Sequence, residues 1–360
     1  MRILIAPDSF KGSATATQVA QGIAEGWHER RPSDDIRLMP MADGGEGTVD
    51  AFALAVAGSV RKPVVVTGPD NRDVRTEWVL LPDGTAVVEL ASASGITLLD
   101  PLAPLAAHSL GFGQVIAAAL DDGAERLLLA IGGSASTDGG AGALTALGAE
   151  FRDEDGSPLP LGGGALGRVG SVDLTALRAV PEGGAIVLSD VTNPLLGPFG
   201  AAAVFGPQKG ATPDDVAKLE LGLTRLAGLL RADPRSEGAG AAGGVGFGLL
   251  SWGAELAAGA EFVGALLGVP DAVAQADVVI TGEGRFDSQS AAGKVPSYIA
   301  GLARSADARA LLVAGLVDAP TAPAFADFES LSERAGGSAA AIADPVRYLR
   351  EAGAALADRQ

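Results

Sequence analysis

The chain is expected to be an α/β protein of two domains, one a parallel-sheet domain formed by both chain ends and the other a second α/β domain inserted between them. Three observations carry this expectation. At the N-terminal end short continuous apolar runs are followed by amphipathic helical patterns, as in βα units, and parallel-type strands return near the C-terminal end. Near residue 63 the pattern changes to β-rich runs separated by Gly-Pro-Asp-Asn and Pro-Asp-Gly turns, as antiparallel strands would be. The length of 360 residues also exceeds one comfortable core and suggests about two domains.

Each element has its own signal. Ile3-Leu-Ile-Ala6 reads as a buried strand. Thr15-Ala-Thr-Gln18 is a capping box leading into Val19, Ile23 and Trp27 at four-residue spacing. A second strand, Ile36 to Pro40, ends in the glycine loop Ala42-Asp-Gly-Gly-Glu-Gly-Thr48, and a helix follows from Val49 to Val56. Val64 to Thr67, Thr76 to Leu81 and Thr85 to Leu90 are the β-rich runs. Arg126 to Ile131 reads as a buried strand, and Ala141 onward as a helix start. Ala185 to Leu188 is a further strand, and a helix beginning at Thr212 places Val216, Leu219, Leu223 and Leu226 on one face. Parallel-type strands return at Asp277 to Thr281 and Ala310 to Ala314. The expected division is therefore 1–64 with 275–360 as one domain and 65–274 as the insert.

Composition excludes several classes of function. A formal charge of -18 argues against nucleic acid and anionic membrane surfaces, both of which need a basic face. Without cysteine there is no disulfide, thiolate metal site or cysteine nucleophile. The two histidines, His28 and His108, supply a zinc site or a Ser-His-Asp triad poorly, and each is expected at a surface or packing position. The N-terminus shows no secretory signal, and no apolar run approaches the ~18 residues of a membrane span. A cytoplasmic location follows as the expectation, and the oligomeric state is left open.

The stretch Ile131-Gly-Gly-Ser-Ala-Ser-Thr-Asp-Gly-Gly-Ala-Gly142 is a strand, glycine loop and helix start, the layout of a phosphate cradle. Its alternative is a tight turn with Asp138 as an ordinary helix cap. Four further loops combine acids, glycines and single basic residues: Asp8-Ser-Phe-Lys-Gly12, Asp43-Gly-Gly-Glu46, Ser189-Asp-Val-Thr-Asn-Pro-Leu195 with Gly206-Pro-Gln-Lys-Gly210, and Gly282-Glu-Gly-Arg-Phe-Asp287 followed by Ala292-Gly-Lys-Val295. Phosphoryl transfer needs a carboxylate to take the alcohol proton, carboxylates for Mg²⁺, and donors and cations for phosphate oxygens. Asp8, Asp43, Glu46, Asp138, Asp190, Glu283 and Asp287 can supply the acids. Lys11, Lys209, Arg285, Lys294 and the glycine amides can supply the donors and cations. Two other pattern matches fail. Gly238-Ala-Gly-Ala-Ala-Gly243 fits G-x-G-x-x-G but follows no strand, so it reads as a flexible or closely packed glycine loop. Gly284 to Lys294 is too widely spaced for a Walker A loop and lacks its Ser or Thr.

Taken in order, Asp8 to Gly12, Met41 to Gly47, Gly132 to Gly142, Asn193-Pro-Leu195, Gln208-Lys-Gly210 and Thr281 to Asp287 resemble the signature segments of the bacterial glycerate kinases that phosphorylate D-glycerate with ATP. Ser136-Thr137 and Ser288-Gln-Ser290 depart slightly from the family pattern while keeping polar side chains. The resemblance implies a Rossmann-like α/β domain, a second α/β domain, an active site in the cleft between them, ATP with Mg²⁺, and D-glycerate converted to 2-phosphoglycerate or 3-phosphoglycerate. The expected roles are Asp190 or Asp138 as base, with Lys209 or Lys294 stabilising the transferred charge. Asp8, Ser9, Lys11, Arg285 and Asp287 are expected around glycerate, with Lys11 and Arg285 on its carboxylate. Gly132, Gly133, Ser134, Gly139 and Gly140 are expected around the phosphates, and Asp43, Glu46 and Glu283 near Mg²⁺. Two other classes stay open: a non-catalytic sugar-acid binding or regulatory protein, and a phosphatase acting on a related three-carbon phospho-acid.

Overall fold

The computed structural model describes residues 1–287, 294–321 and 323–360. Ser288, Gln289 and Ser290, with Ala292 and Gly293 of the fifth loop, lie outside them. The chain forms two compact units, Met1–Asp43 with Ala258–Gln360 and the insert Gly44–Ala257. Both joins fall earlier than the sequence pattern places them. The helix Thr48–Ala55 belongs to the insert because Glu89, at the end of the strand Thr85–Glu89, accepts hydrogen bonds from the Gly47 and Val49 amides at 2.9 and 3.3 Å. At the other join, the helices Gly259–Leu266 and Val269–Ala274 send Ala260, Val269 and Val273 into the core of the first unit.

The first unit holds a five-stranded sheet in the order Asp327–Ser330, Arg309–Val317, Val278–Phe286, Arg2–Ile5, Asp35–Leu38, every pair parallel. Strand alternation explains the unbroken apolar run at its N-terminal strand. Ile3 and Ile5 face one layer with Val19, Ile23, Trp27 and Leu349, while Leu4 faces the other with Val273, Ile299 and Leu312. The Thr15 capping box forms as expected and starts the helix Ala16–Arg30. The helix Pro345–Asp358 crosses it so closely that a Cβ at Gly26 would stand 1.8 Å from the Arg350 carbonyl oxygen.

One expected loop is a strand. Val278–Phe286 continues through Gly282-Glu-Gly-Arg-Phe286, pairing Glu283 with Ala314 and Arg285 with Leu316. The glycines here permit close packing, not turning. A Cβ at Gly282 would come within 2.2 Å of the Val313 carbonyl oxygen, and one at Gly315 within 2.3 Å of that of Gly284.

The insert has a six-stranded sheet in the order Glu255–Ala257, Ala185–Leu188, Arg126–Ala130, Thr85–Glu89, Asp73–Leu80, Val60–Thr67. The first four strands are parallel and the last two antiparallel, so the hairpin pattern read near residue 63 forms one edge of a mixed sheet. The helix Pro213–Ala227 buries Leu219, Leu223 and Leu226 in this unit's core. The Gly238 to Gly243 stretch is closely packed and opens the helix Ala241–Trp252 through three left-handed residues, Ala242, Gly243 and Gly244. Among the described residues no helix is long and apolar enough to cross a membrane.

Candidate active site

In the insert, parallel register sets the candidate residues along one sheet edge. Glu89 pairs with Ala130, and Ala130 with Leu188, so Glu89, the Gly132 loop and Asp190 all lie at the carboxyl ends of neighbouring strands. Ligands of parallel α/β sheets gather at this edge. The Gly132 amide donates to the Gly44 carbonyl at 3.0 Å, and a Cβ at Gly132 would be 2.6 Å from the Cα of Gly45, so the second and third glycine loops pack backbone to backbone. The Gly139 amide donates to the Gly243 carbonyl at 3.0 Å.

Asp138 is buried and heavily engaged. Its carboxylate accepts from the Ser109 amide and hydroxyl, both at 2.8 Å, and from the amides of Gly140 at 3.1 Å and Gly142 at 3.3 Å. Ser109 in turn accepts from the Ala143 amide at 3.0 Å. The donors that open the six-residue helix Ala141–Ala146 are therefore capped from within the protein. Three of the amides expected to face phosphate, those of Gly132, Gly139 and Gly140, are already used in this way. The amides of Gly133 and Ser134 make no hydrogen bond among the described residues. The hydroxyls of Ser136 and Thr137 are buried and likewise have no partner among the described residues.

Lys209 enters this loop from the turn Pro207–Lys209. Its side chain is buried, and its Nζ donates to Ser134 Oγ at 2.7 Å and to the Ser136 carbonyl at 2.5 Å. Burial pushes the amine down from the ordinary 10.5 to about 7, with Asp138 acting in the opposite sense. The loop that Lys209 enters thus carries two amides and two hydroxyls without partners among the described residues, beside a buried amine. Such a set suits an anionic oxygen. Asp190 is half-buried beyond the Ala185–Leu188 strand.

The first unit holds a different cluster. Asp8 is buried, accepts from the Ser9 amide at 2.6 Å and donates its own amide to the Gly282 carbonyl at 2.8 Å. Burial raises its pKa well above the carboxylate range, Asp43 and Glu283 add to that rise, and Lys11 opposes it. Lys11 forms a 3.4 Å ion pair with Asp43, and its pKa is raised chiefly by that carboxylate. Arg285 pairs with Asp318 and lies 4.0 Å from Asp287. Both cations expected on the glycerate carboxylate thus already have acidic partners. Ser9 is buried, and its hydroxyl has no partner among the described residues. Asp8, Ser9, Lys11, Glu283, Asp287 and Lys294 line one cavity of about 480 Å³.

The acids expected near Mg²⁺ do not form a three-acid centre. Among the described residues no group of three or more His, Cys, Asp or Glu side chains converges as a metal site. Asp43 and Glu283 belong to the first unit, where both act on Asp8, whereas Glu46 is an exposed residue of the insert.

Sequence reasoning missed Glu89 and Ser109. Glu89 is buried at the end of its strand, and burial raises it from 4.5 to about 7 despite its two amide donors. Its signal was a lone acid closing the apolar run Ala86-Val-Val-Glu89. His108 is buried with Nε2 3.3 Å from Asn71 Oδ1. Nothing in the sequence marked Ser109 as the partner of Asp138. His28, by contrast, is exposed on the polar side of its helix, as its spacing suggested.

The sequence and fold agree with known proteins over almost their full length. Residues 3–359 match the description of the glycerate kinase family. The chain belongs to the glycerate kinase family. It is 45% identical over 327 residues to the glycerate kinase of Bacillus subtilis (strain 168), covering 88% of this chain and 85% of that one. It is 42% identical over 325 residues to the glycerate 2-kinase of Escherichia coli (strain K12), with coverage of 88% and 85%. A solved structure from Salmonella typhimurium LT2, provisionally named glycerate kinase 2, superposes with a TM-score of 0.81 at 40% identity and covers 100% of this chain and 98% of its own. The chain is accordingly an enzyme of the kinase class, with the two-unit α/β fold of its relatives.

Proposed function

We propose that this family member transfers the γ-phosphoryl group of ATP to a hydroxyl of D-glycerate, giving 2-phosphoglycerate, in keeping with the name glycerate 2-kinase of the Escherichia coli relative. The observation that carries the reading is the buried Lys209 inside the Gly132 loop, with that loop's unpartnered donors. Phosphoryl transfer spreads negative charge over oxygens, and Lys209 with the Gly133, Ser134, Ser136 and Thr137 groups offers fixed donors for that charge. A lysine held near neutrality is charged by the anion it meets.

Asp190 is the base that takes the proton of the attacking hydroxyl. The four donors on Asp138 favour this choice, because a carboxylate so engaged positions its loop and has little capacity left for a substrate proton. ATP would be used with Mg²⁺, an ion that protein sites commonly hold through one or two carboxylates. Asp43 and Glu283 are the residues that would hold it, and it would neutralise phosphate charge there. The reaction draws on ATP and a small organic acid, which suits the cytoplasm.

The test is ADP release from Mg²⁺-ATP with D-glycerate, L-glycerate or no acid, followed by ³¹P NMR. ADP release dependent on D-glycerate is expected, with a phosphorus doublet from the single proton at C2. A triplet would give 3-phosphoglycerate instead. Phosphate release without ATP consumption would favour the phosphatase reading, and binding without turnover the regulatory one.

A further inference from the structure

The cavity of the first unit has a lining of two kinds. It opens at the carboxyl ends of the strands Arg2–Ile5, Val278–Phe286 and Arg309–Val317. Asp8, Lys11, Glu283 and Lys294 line it together with Leu316, Leu331, Ala341, Ile342 and Pro345. A three-carbon acid with a carboxylate and two hydroxyls is polar throughout. Seated among aliphatic walls it would lose water without gaining partners, and most of the 480 Å³ would stay wet. A purine nucleoside has flat apolar faces, a polar edge and a charged extension, and the lining holds a counterpart to each.

A chain of hydroxyls fixes the polarity of one part of the lining. Ser332 Oγ donates to the Gly315 carbonyl at 2.7 Å, and Ser332 and Ser338 hydroxyls lie 3.0 Å apart. A carbonyl only accepts, so the one hydrogen of Ser332 is spent on it. Ser338 must then donate to Ser332, which leaves only acceptor lone pairs on Ser338. Ser338 lines the cavity and presents an acceptor to it. The matching ligand group is an N–H donor, such as the exocyclic amine of adenine. Ser9, buried next to Asp8 with its hydroxyl unpartnered among the described residues, is a candidate for a ribose or phosphate oxygen.

We propose that this cavity receives the purine nucleoside of the phosphoryl donor, with Ser338 accepting from the base amine and the charged lining residues facing the phosphates. The proposal rests on the glycerate kinase reading and moves Asp8, Ser9, Lys11, Arg285 and Asp287 from the acid to the nucleotide.

Two variants and one analogue test it. Ile342 is 60% exposed at the rim, so Ile342→Trp blocks the cavity without repacking a core. Its KM for ATP should rise tenfold or more while KM for D-glycerate stays unchanged. Ser338→Ala should raise KM for ATP about fivefold and abolish the preference of the unaltered enzyme for ATP over ITP, which lacks the amine. A rise in KM for D-glycerate in Ile342→Trp, a rise in both constants, or no change in either would overturn the placement while leaving the kinase intact. An unaltered enzyme that does not discriminate ATP from ITP would overturn the role of Ser338. Failure of the unaltered enzyme to release ADP with D-glycerate would instead remove the reading beneath the proposal.

Discussion

Lys11 and Lys209 are both lysines of glycine-rich segments, and their surroundings make them opposite kinds of cation. Lys11 is half exposed at 53% and stands among Asp43, Asp8 and Glu283, which hold it charged and already neutralise it. Lys209 is buried, hydrogen-bonded to a hydroxyl and a carbonyl, and driven by burial to about 7. A charge surrounded by acids gains little from one more anion. A desolvated amine among neutral acceptors gains a great deal, because an arriving anion restores the charge that burial suppressed. On the proposed reading, the contrast assigns charge stabilisation to Lys209 in the insert and a supporting role to Lys11.

Replacing the lysines is the most direct way to break this contrast. Lys209→Met should lower kcat by about 10³, the scale of losing a preorganised charge donor, whereas Lys11→Met should lower it about tenfold or less. Equal losses in steady-state assays would show that the two cations share the task. The carboxylates sharpen the same division. Asp190→Asn should cost about 10² in kcat, as loss of a general base does. Asp138→Asn turns an NH₂ group toward N–H donors, so its main effect should be a lowered melting temperature, with turnover reduced less than in Asp190→Asn. If Asp138→Asn keeps its melting temperature but loses turnover, Asp138 is the base.

A smaller effect concerns protons. Free Lys209 is mostly neutral above about 7, and a bound anion raises its pKa. Nucleotide or acid binding should therefore take up a proton at about pH 8 and none at about pH 6, as calorimetry in buffers of different ionisation enthalpy would show. Equal uptake at both would exclude Lys209 as the responding group. The smallest effect is at Glu89. Its folded value near 7 lies above its ordinary 4.5, so its contribution to stability is full below 4.5 and is lost as pH rises through 7. Glu89→Gln keeps an acceptor for the Gly47 and Val49 amides and should melt a few degrees higher than the parent above neutral pH, with no difference below the carboxylate range. A variant less stable at every pH would mean that the ionised carboxylate is needed to hold the loop.

Much of the architecture was legible because it rests on local rules. The run Ile3-Leu-Ile-Ala6 had to be a two-sided buried strand, Thr15 and Gln18 had to cap a helix, and the turns between residues 64 and 90 had to fold back into antiparallel strands. The glycines were harder, since one residue type serves turning and close approach alike. Gly282 and Gly284 looked like a loop but are strand positions where two backbones nearly touch, and Gly243 supports the Gly139 turn from more than a hundred residues away.

Residue order and patterning were enough to establish the α/β class, the insertion and the family, because periodicity, caps and ordered motifs are written along the chain. The state of each site residue was not written there. Whether Lys209 is charged, whether Asp138 has a free lone pair, and whether Ser338 offers a hydrogen or accepts one depend on which distant atoms share their space. Desolvation and hydrogen-bond saturation are properties of a three-dimensional neighbourhood, and they come into being only when the strands pair and the loops meet.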